Sequence, residues 1–159
     1  MRPARPEDFA AIHAVETAAF GREDEAVIVE TVRAEGAALV ELVAEEEGQI
    51  VGHILFSRMT TDPVKHMVGL APVAVSPGAQ SRGWGHALCR AGIDRLRAMG
   101  VEAVVVLGHV DYYPRFGFSR EAAKAITSPY AELPGFMALE LVPGALAEPI
   151  KADYHRTFD

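Results

Sequence analysis

Val73-Ala74-Val75-Ser76-Pro77-Gly78-Ala79-Gln80-Ser81-Arg82-Gly83-Trp84-Gly85-His86-Ala87-Leu88 carries the chain from an apolar run, through a loop with glycines, into a helix. The run upstream, Leu70-Ala71-Pro72-Val73-Ala74-Val75, reads as a strand. Pro72 has no N–H for a ladder, so this strand should meet a gap, a bulge or an edge there. Downstream, Leu88, Cys89, Gly92, Ile93, Leu96 and Met99 recur on one helical face. His86, Arg90, Asp94 and Arg97 occupy the other, and Gly100 ends the helix. Ala103-Val104-Val105-Val106-Leu107 is a short unbroken apolar run, the pattern of a strand buried on both faces. Strand, helix, strand in that order makes a crossover unit with a parallel pair.

The loop at residues 80–85 suits an anion. A helix N-terminus presents unpaired backbone N–H groups and the positive end of the helix dipole. Gly83 and Gly85 leave room for a phosphate to approach the backbone, and Arg82 adds positive charge. A dinucleotide fingerprint would need a third glycine where Leu88 stands, and a Walker A loop would need Gly-Lys-Ser/Thr, which the sequence lacks. A glycine-containing strand-to-helix turn without a ligand stays open on spacing alone.

The remaining elements fit one α/β domain over residues 1–159, a mixed sheet with helices packed on it. Pro6-Glu7-Asp8 opens a helix over residues 6–20, with Phe9, Ile12, Val15 and Ala19 at helical spacing. A weaker helix covers residues 22–35 and stops at Gly36. Residues 38–44 and 50–57 form a hairpin with the acidic tip Glu45-Glu46-Glu47-Gly48-Gln49, read as a solvated turn. Residues 136–141 give a last strand.

Composition narrows the function classes. Fifteen Lys and Arg against 22 Asp and Glu give a formal charge of −7, which argues against nonspecific nucleic-acid binding. Cys89 is the only cysteine, so neither an internal disulfide nor a thiolate metal site is expected, and a reducing compartment is. The six histidines show no helical zinc spacing. No apolar run follows Met1, and none of membrane length occurs, so neither leader nor membrane is expected and the cytoplasm is the default reading.

With these residues in view, the chain resembles the GNAT acetyltransferases. The run 73–88 is similar to that family's acetyl-CoA signature, an apolar strand followed by Gln/Arg-x-x-Gly-x-Gly/Ala and a helix. Tyr112-Tyr113-Pro114-Arg115-Phe116-Gly117-Phe118 matches its Tyr-x-x-x-Gly-Phe element, in the right order and at the right separation. A late Phe136-Met137-Ala138-Leu139-Glu140-Leu141 resembles a broad subgroup of uncharacterised bacterial-type members.

The resemblance implies a single domain with a central mixed, splayed sheet that opens between residues 70–75 and 103–107. It implies acetyl-CoA as co-substrate and no metal. Backbone groups of Val73, Ala74 and Val75 would hold the pantetheine arm and polarise the thioester carbonyl. Ser81, Arg82, Gly83, Trp84, Gly85 and His86 would surround the pyrophosphate, with Gln80 bracing the loop. Tyr113 stands at the position of the family's general acid, and a phenol of reference pKa about 10 keeps its proton at neutral pH. The carboxylate many relatives carry on the strand before the loop is missing, which leaves Glu16, His53 and His66 as candidate bases. The acceptor is a small-molecule or peptide amine that the sequence does not identify, and a homodimer is implied only by analogy.

A non-catalytic acyl-CoA sensor of the same fold and a nucleotide-binding domain using the same loop are the rival readings. A thermal-unfolding titration with acetyl-CoA, CoA, ATP and NAD separates them. At about a hundred times its dissociation constant a ligand adds roughly 2.7 kcal/mol. Acetyl-CoA and CoA should raise the melting temperature by several degrees while ATP and NAD leave it unchanged.

Overall fold

The computed structural model describes residues 1–158. Its elements in chain order are β1 (Arg2–Pro3), α1 (Phe9–Phe20), α2 (Asp24–Ala34), β2 (Ala38–Glu46), β3 (Gln49–Arg58), β4 (Thr60–Asp62), β5 (Met67–Val75), α3 (Trp84–Ala98), β6 (Ala103–Leu107), β7 (Ile126–Thr127), β8 (Phe136–Glu140) and β9 (Ile150–Asp153). Six strands form a mixed sheet in the order β1-β2-β3-β5-β6-β8, and β4-β9-β7 form a smaller one. The architecture is the mixed α/β one read from the sequence. Chain contacts define two compact units, Met1–Phe56 with Ala71–Arg95, and Ser57–Leu70 with Leu96–Asp159.

In the first unit the chain enters through β1, whose Arg2 and Pro3 pair antiparallel with Val43 and Leu42. The Arg2 guanidinium donates to the Asp8 carboxylate at 2.7 and 2.9 Å, and the Arg5 N–H donates to it at 2.8 Å. Led by the Arg2 hydrogen bonds, these hold the Asp8 carboxyl down at about 2. The expected helix over 6–20 therefore begins as a 3-10 turn at Pro6–Asp8, and α1 proper starts at Phe9. Its inner face presents Ile12, Val15 and Glu16. The inner face of α2 presents Ala26, Val29 and Val32. β2 and β3 run longer than expected and meet in a two-residue turn at Glu47 and Gly48.

α3 packs by its apolar face, with Leu88, Cys89, Ile93 and Leu96 buried. Met99, assigned to that face by spacing, is 46% exposed because α3 ends at Ala98. A Cβ on Gly92 would lie 2.2 Å from the Phe56 ring. The helix thus rests on an aromatic ring through a residue without a side chain.

In the second unit β5 pairs in parallel with β6 over Met67–Val68–Gly69 against Ala103–Val104–Val105. β6 pairs antiparallel with β8 along its whole length, from Ala103–Glu140 to Leu107–Phe136. The ladder with β6 lies ahead of Pro72, which meets the expectation of a gap at that proline. Met67, Val105, Phe136, Ala138 and Ile150 anchor this unit's core. β1, β4, β7 and β9 have two to four residues each, too few for a period to register in sequence.

Gly92→Ala tests the helix packing. Alanine favours a helix interior by about 1 kcal/mol. Overpacking against a fixed ring costs roughly 1–3 kcal/mol. The variant should unfold at lower denaturant than the wild type with an unchanged m-value.

Candidate active site

The first unit contains the whole run from Val73 to His86. Ala74 is buried, while Val73 and Val75 are half-buried. The Gln80 side chain donates its Nε2 hydrogen to the Val75 carbonyl at 2.9 Å, closing the loop back onto its strand, the bracing expected of it. Pro77–Ala79 forms a 3-10 turn, and residues 80–83 are exposed. Ser81 and Gly83 take left-handed backbones, at φ 65° and 87°. A Cβ on Gly83 would meet nothing within 4 Å, so the loop faces open space there. The Ala87 N–H reaches the Gly83 carbonyl at 3.0 Å, so the helical ladder starts at the loop and directs its positive end toward it.

Arg82 donates to Glu46 at 3.1 and 3.3 Å. The hairpin tip is therefore not simply solvated, since one of its glutamates positions the loop's cation. The pair is exposed, so its worth is steering rather than stability.

The same unit brings together two candidate bases that lie 37 positions apart in sequence. Glu16 on α1 and His53 on β3 are both fully buried, and His53 Nδ1 lies 2.7 Å from Glu16 Oε2. His53 Nε2 lies 2.7 Å from Glu41 Oε2 on β2. Arg33 on α2 grips Glu41 with both arms of its fork, at 2.6 and 3.1 Å. The Arg33 guanidinium also stacks 3.6 Å from the centre of the Phe9 ring. Four elements thus contribute one charged group each.

An ionised carboxylate only accepts hydrogen bonds, so with Glu16 and Glu41 both ionised the ring donates from each nitrogen and is an imidazolium. Burial works against that charge, but the hydrogen bonds from the ring to Glu16 and Glu41 outweigh it and raise the His53 pKa. Burial would raise Glu41 too, yet the bonds from His53 and Arg33 hold it below the usual carboxylate range. Glu16 is raised, burial prevailing over the His53 bond. Its second oxygen, Oε1, is buried and has no hydrogen-bond partner among the described residues. Reasoning from sequence missed Glu41 and Arg33. The available signal was a lone glutamate inside Leu39-Val40-Glu41-Leu42-Val43, where an apolar run calls for a partner.

Tyr113 belongs to the second unit, in the 3-10 turn Tyr113–Phe116 that follows β6. It is 7% exposed and packs edge-on against Tyr112 and Phe118, with centroids at 5.2 and 5.9 Å. A Cβ on Gly108 would lie 2.3 Å from the Tyr113 ring, so the strand end carries a glycine where the phenol lies across it. His66, the third candidate base, is exposed, and its N–H donates to Glu102 at 2.9 Å. Cys89 is fully buried, and burial pushes its thiol up to about 12. No group of His, Cys, Asp and Glu among the described residues is arranged to hold a metal ion. No helix among the described residues is long and apolar enough to cross a membrane.

Comparison with known proteins identifies the family. The model of the acetyltransferase (GNAT) family matches residues 7–118. The chain is 40% identical over 156 residues to the uncharacterized N-acetyltransferase YjhQ of Escherichia coli, covering 93% of this chain and 85% of that protein. The crystal structure of the GNAT family N-acetyltransferase YhbS of Escherichia coli in complex with CoA superposes with a TM-score of 0.89 at 31% identity, covering 99% of this chain and 89% of that one. A GNAT family acetyltransferase of Brucella melitensis, solved with acetyl-CoA, gives 0.83 at 37% identity, with 99% and 96% covered. The chain belongs to the acetyltransferase (GNAT) family.

Proposed function

We propose that the chain is a single cytoplasmic catalytic domain, residues 1–159, that moves an acetyl group from acetyl-CoA to a primary amine by direct attack. The observation that carries this reading is the exposed, glycine-bearing loop braced by Gln80 at the head of α3. The relatives solved with CoA and acetyl-CoA supply the ligand class. The open space over Gly83 suits the pyrophosphate, with Arg82 as its cation and the first turn of α3 as its donors. The pantetheine arm then lies along residues 73–75.

Direct attack follows from what is missing for the alternative. Cys89 is buried with its thiol raised to about 12, so it supplies no thiolate for an acyl-enzyme. The incoming ammonium gives one proton to a base, and its freed lone pair forms the C–N bond to the thioester carbonyl carbon. The tetrahedral intermediate collapses with loss of the C–S bond; the departing CoA sulfur takes a proton from the Tyr113 hydroxyl, and the second nitrogen proton restores that phenol. The products are the amide, CoA thiol and one released proton.

Of the two buried candidate bases, Glu16 suits the task and His53 does not. Both His53 nitrogens are engaged by carboxylates, whereas Glu16 keeps Oε1. An unpaired buried carboxylate oxygen is unfavourable until a donor reaches it, and the acceptor's ammonium is the donor the reaction brings. The Glu16 carboxyl, raised by burial, also takes a proton more readily than an ordinary carboxylate.

Release of CoA thiol from acetyl-CoA in the presence of a panel of small amines and peptide N-termini tests the reading. Amine-dependent release supports it; binding without release for any amine sinks the enzyme in favour of an acyl-CoA sensor. Tyr113→Phe should lower kcat roughly a hundredfold with little change in acetyl-CoA affinity. Gly83→Asp and Gly83→Asn share the backbone strain of a left-handed position but differ in charge. Calorimetry should find acetyl-CoA binding lost in the aspartate variant and weakened far less in the asparagine one. Equal losses would take the pyrophosphate away from this loop.

A further inference from the structure

We propose that Glu41, braced by Arg33, is a positioning residue for acetyl transfer: by accepting the second hydrogen bond of His53 it fixes the ring against Glu16 Oε2 and leaves Oε1 to the acceptor's ammonium. This inference rests on the reading of Glu16 as the base. The geometry that carries it is a continuous chain of short bonds. Arg33 Nη2 to Glu41 Oε2 is 2.6 Å, Glu41 Oε2 to His53 Nε2 is 2.7 Å, and His53 Nδ1 to Glu16 Oε2 is 2.7 Å.

Each link sets the next. The planar fork of Arg33 fixes the Glu41 carboxylate in one plane, which a point-charge lysine would not do. Glu41 Oε2 therefore meets His53 at one position, and the ring, held at both ends, cannot flip. Glu16 is thereby bound through one oxygen only.

The charges acting on Glu16 come from β3, β2 and α2. His53 stands on β3, and Glu41 on β2 with Arg33 on α2 behind it. Glu25, also on α2, adds a like charge that is matched by Arg22 at 2.6 Å. On α1 itself His13 sits at the surface between Glu23 and Glu30, 3.1 Å from each. Arg33, Glu41, His53 and Glu16 sum to zero charge when all four are ionised, which is the condition for burying them together.

Removing the charge of Glu41 while keeping its shape isolates this role. In Glu41→Gln an amide oxygen still accepts from His53 Nε2, so a merely structural hydrogen bond survives. The anion that keeps the ring cationic does not. The buried ring then loses its proton more easily, and Glu16 loses the cation 2.7 Å away. That loss outweighs the relief of a like charge on the far side of the ring.

The experiment is the pH profile of kcat/KM for wild type and Glu41→Gln with one turned-over amine, alongside acetyl-CoA affinity by calorimetry. The ascending limb should move to higher pH by about one unit or more, with acetyl-CoA affinity unchanged. Should the single variant fail to fold, the double Arg33→Gln/Glu41→Gln, which leaves no unpaired buried charge, should show the same displacement. An unmoved limb in a variant that still turns over makes Glu41 structural and overturns the inference, leaving the acetyltransferase reading intact. A wild type that binds acetyl-CoA and acetylates nothing overturns that reading, and the inference falls with it.

Discussion

A buried histidine with a carboxylate at each ring nitrogen is the constraint around which the first unit is arranged. His53 is fully buried, and a lone cation there would be unfavourable by several kcal/mol. Two carboxylates offset it, one from α1 and one from β2, and Arg33 of α2 balances the second of them. Each of these elements is tied by a charged side chain as well as by apolar packing. The sign of the pH dependence follows. The raised His53 pKa contributes stability that is complete below the unfolded value of about 6.5 and is lost as pH rises through the folded value. Glu41, held low, contributes above the unfolded carboxylate range and loses its contribution as pH falls through the folded value. The chain is therefore supported best where both are ionised.

On the proposed reading the first unit separates two tasks. The loop at the head of α3, with open space over Gly83 and a cation held by Glu46, would take the anionic part of the cofactor. The buried chain would take a proton. Anion binding needs exposure and positive potential; proton abstraction by a carboxylate needs removal from water. The fold supplies the first at the mouth of a helix and the second beneath α1 and α2. Tyr113, the acid proposed above, lies across Gly108 in the other unit.

The cofactor side was legible in the sequence because its signals are local. A strand, a glycine loop and an amphipathic helix follow one another within sixteen consecutive residues, 73–88. The structure keeps that order and adds a bond from the Gln80 side chain to the Val75 carbonyl. The proton side was legible only in pieces. Glu16 and His53 stood out as polar residues on apolar faces, but nothing in their spacing says that they meet. Their meeting, and the part of Glu41 and Arg33, depends on how two helices lie over a hairpin. The acidic hairpin tip is largely exposed, as read, but its contact with Arg82 was not legible for a related reason: Glu46 and Arg82 are 36 positions apart, and a charge run alone does not announce a partner. The smallest strands escaped because two to four residues carry no period.

The most direct test of the central claim is the protonation of His53 in the wild-type protein, followed by the ring-nitrogen resonances of 15N-histidine-labelled protein between pH 5 and 8. The His53 ring should titrate above the ordinary histidine value of about 6.5, with both nitrogens protonated below its titration. A ring that titrates at or below that value, or that has one nitrogen bare throughout, would contradict the account. It would mean that Glu16 and Glu41 do not share a cation, and the argument for Glu16 as the base would go with it.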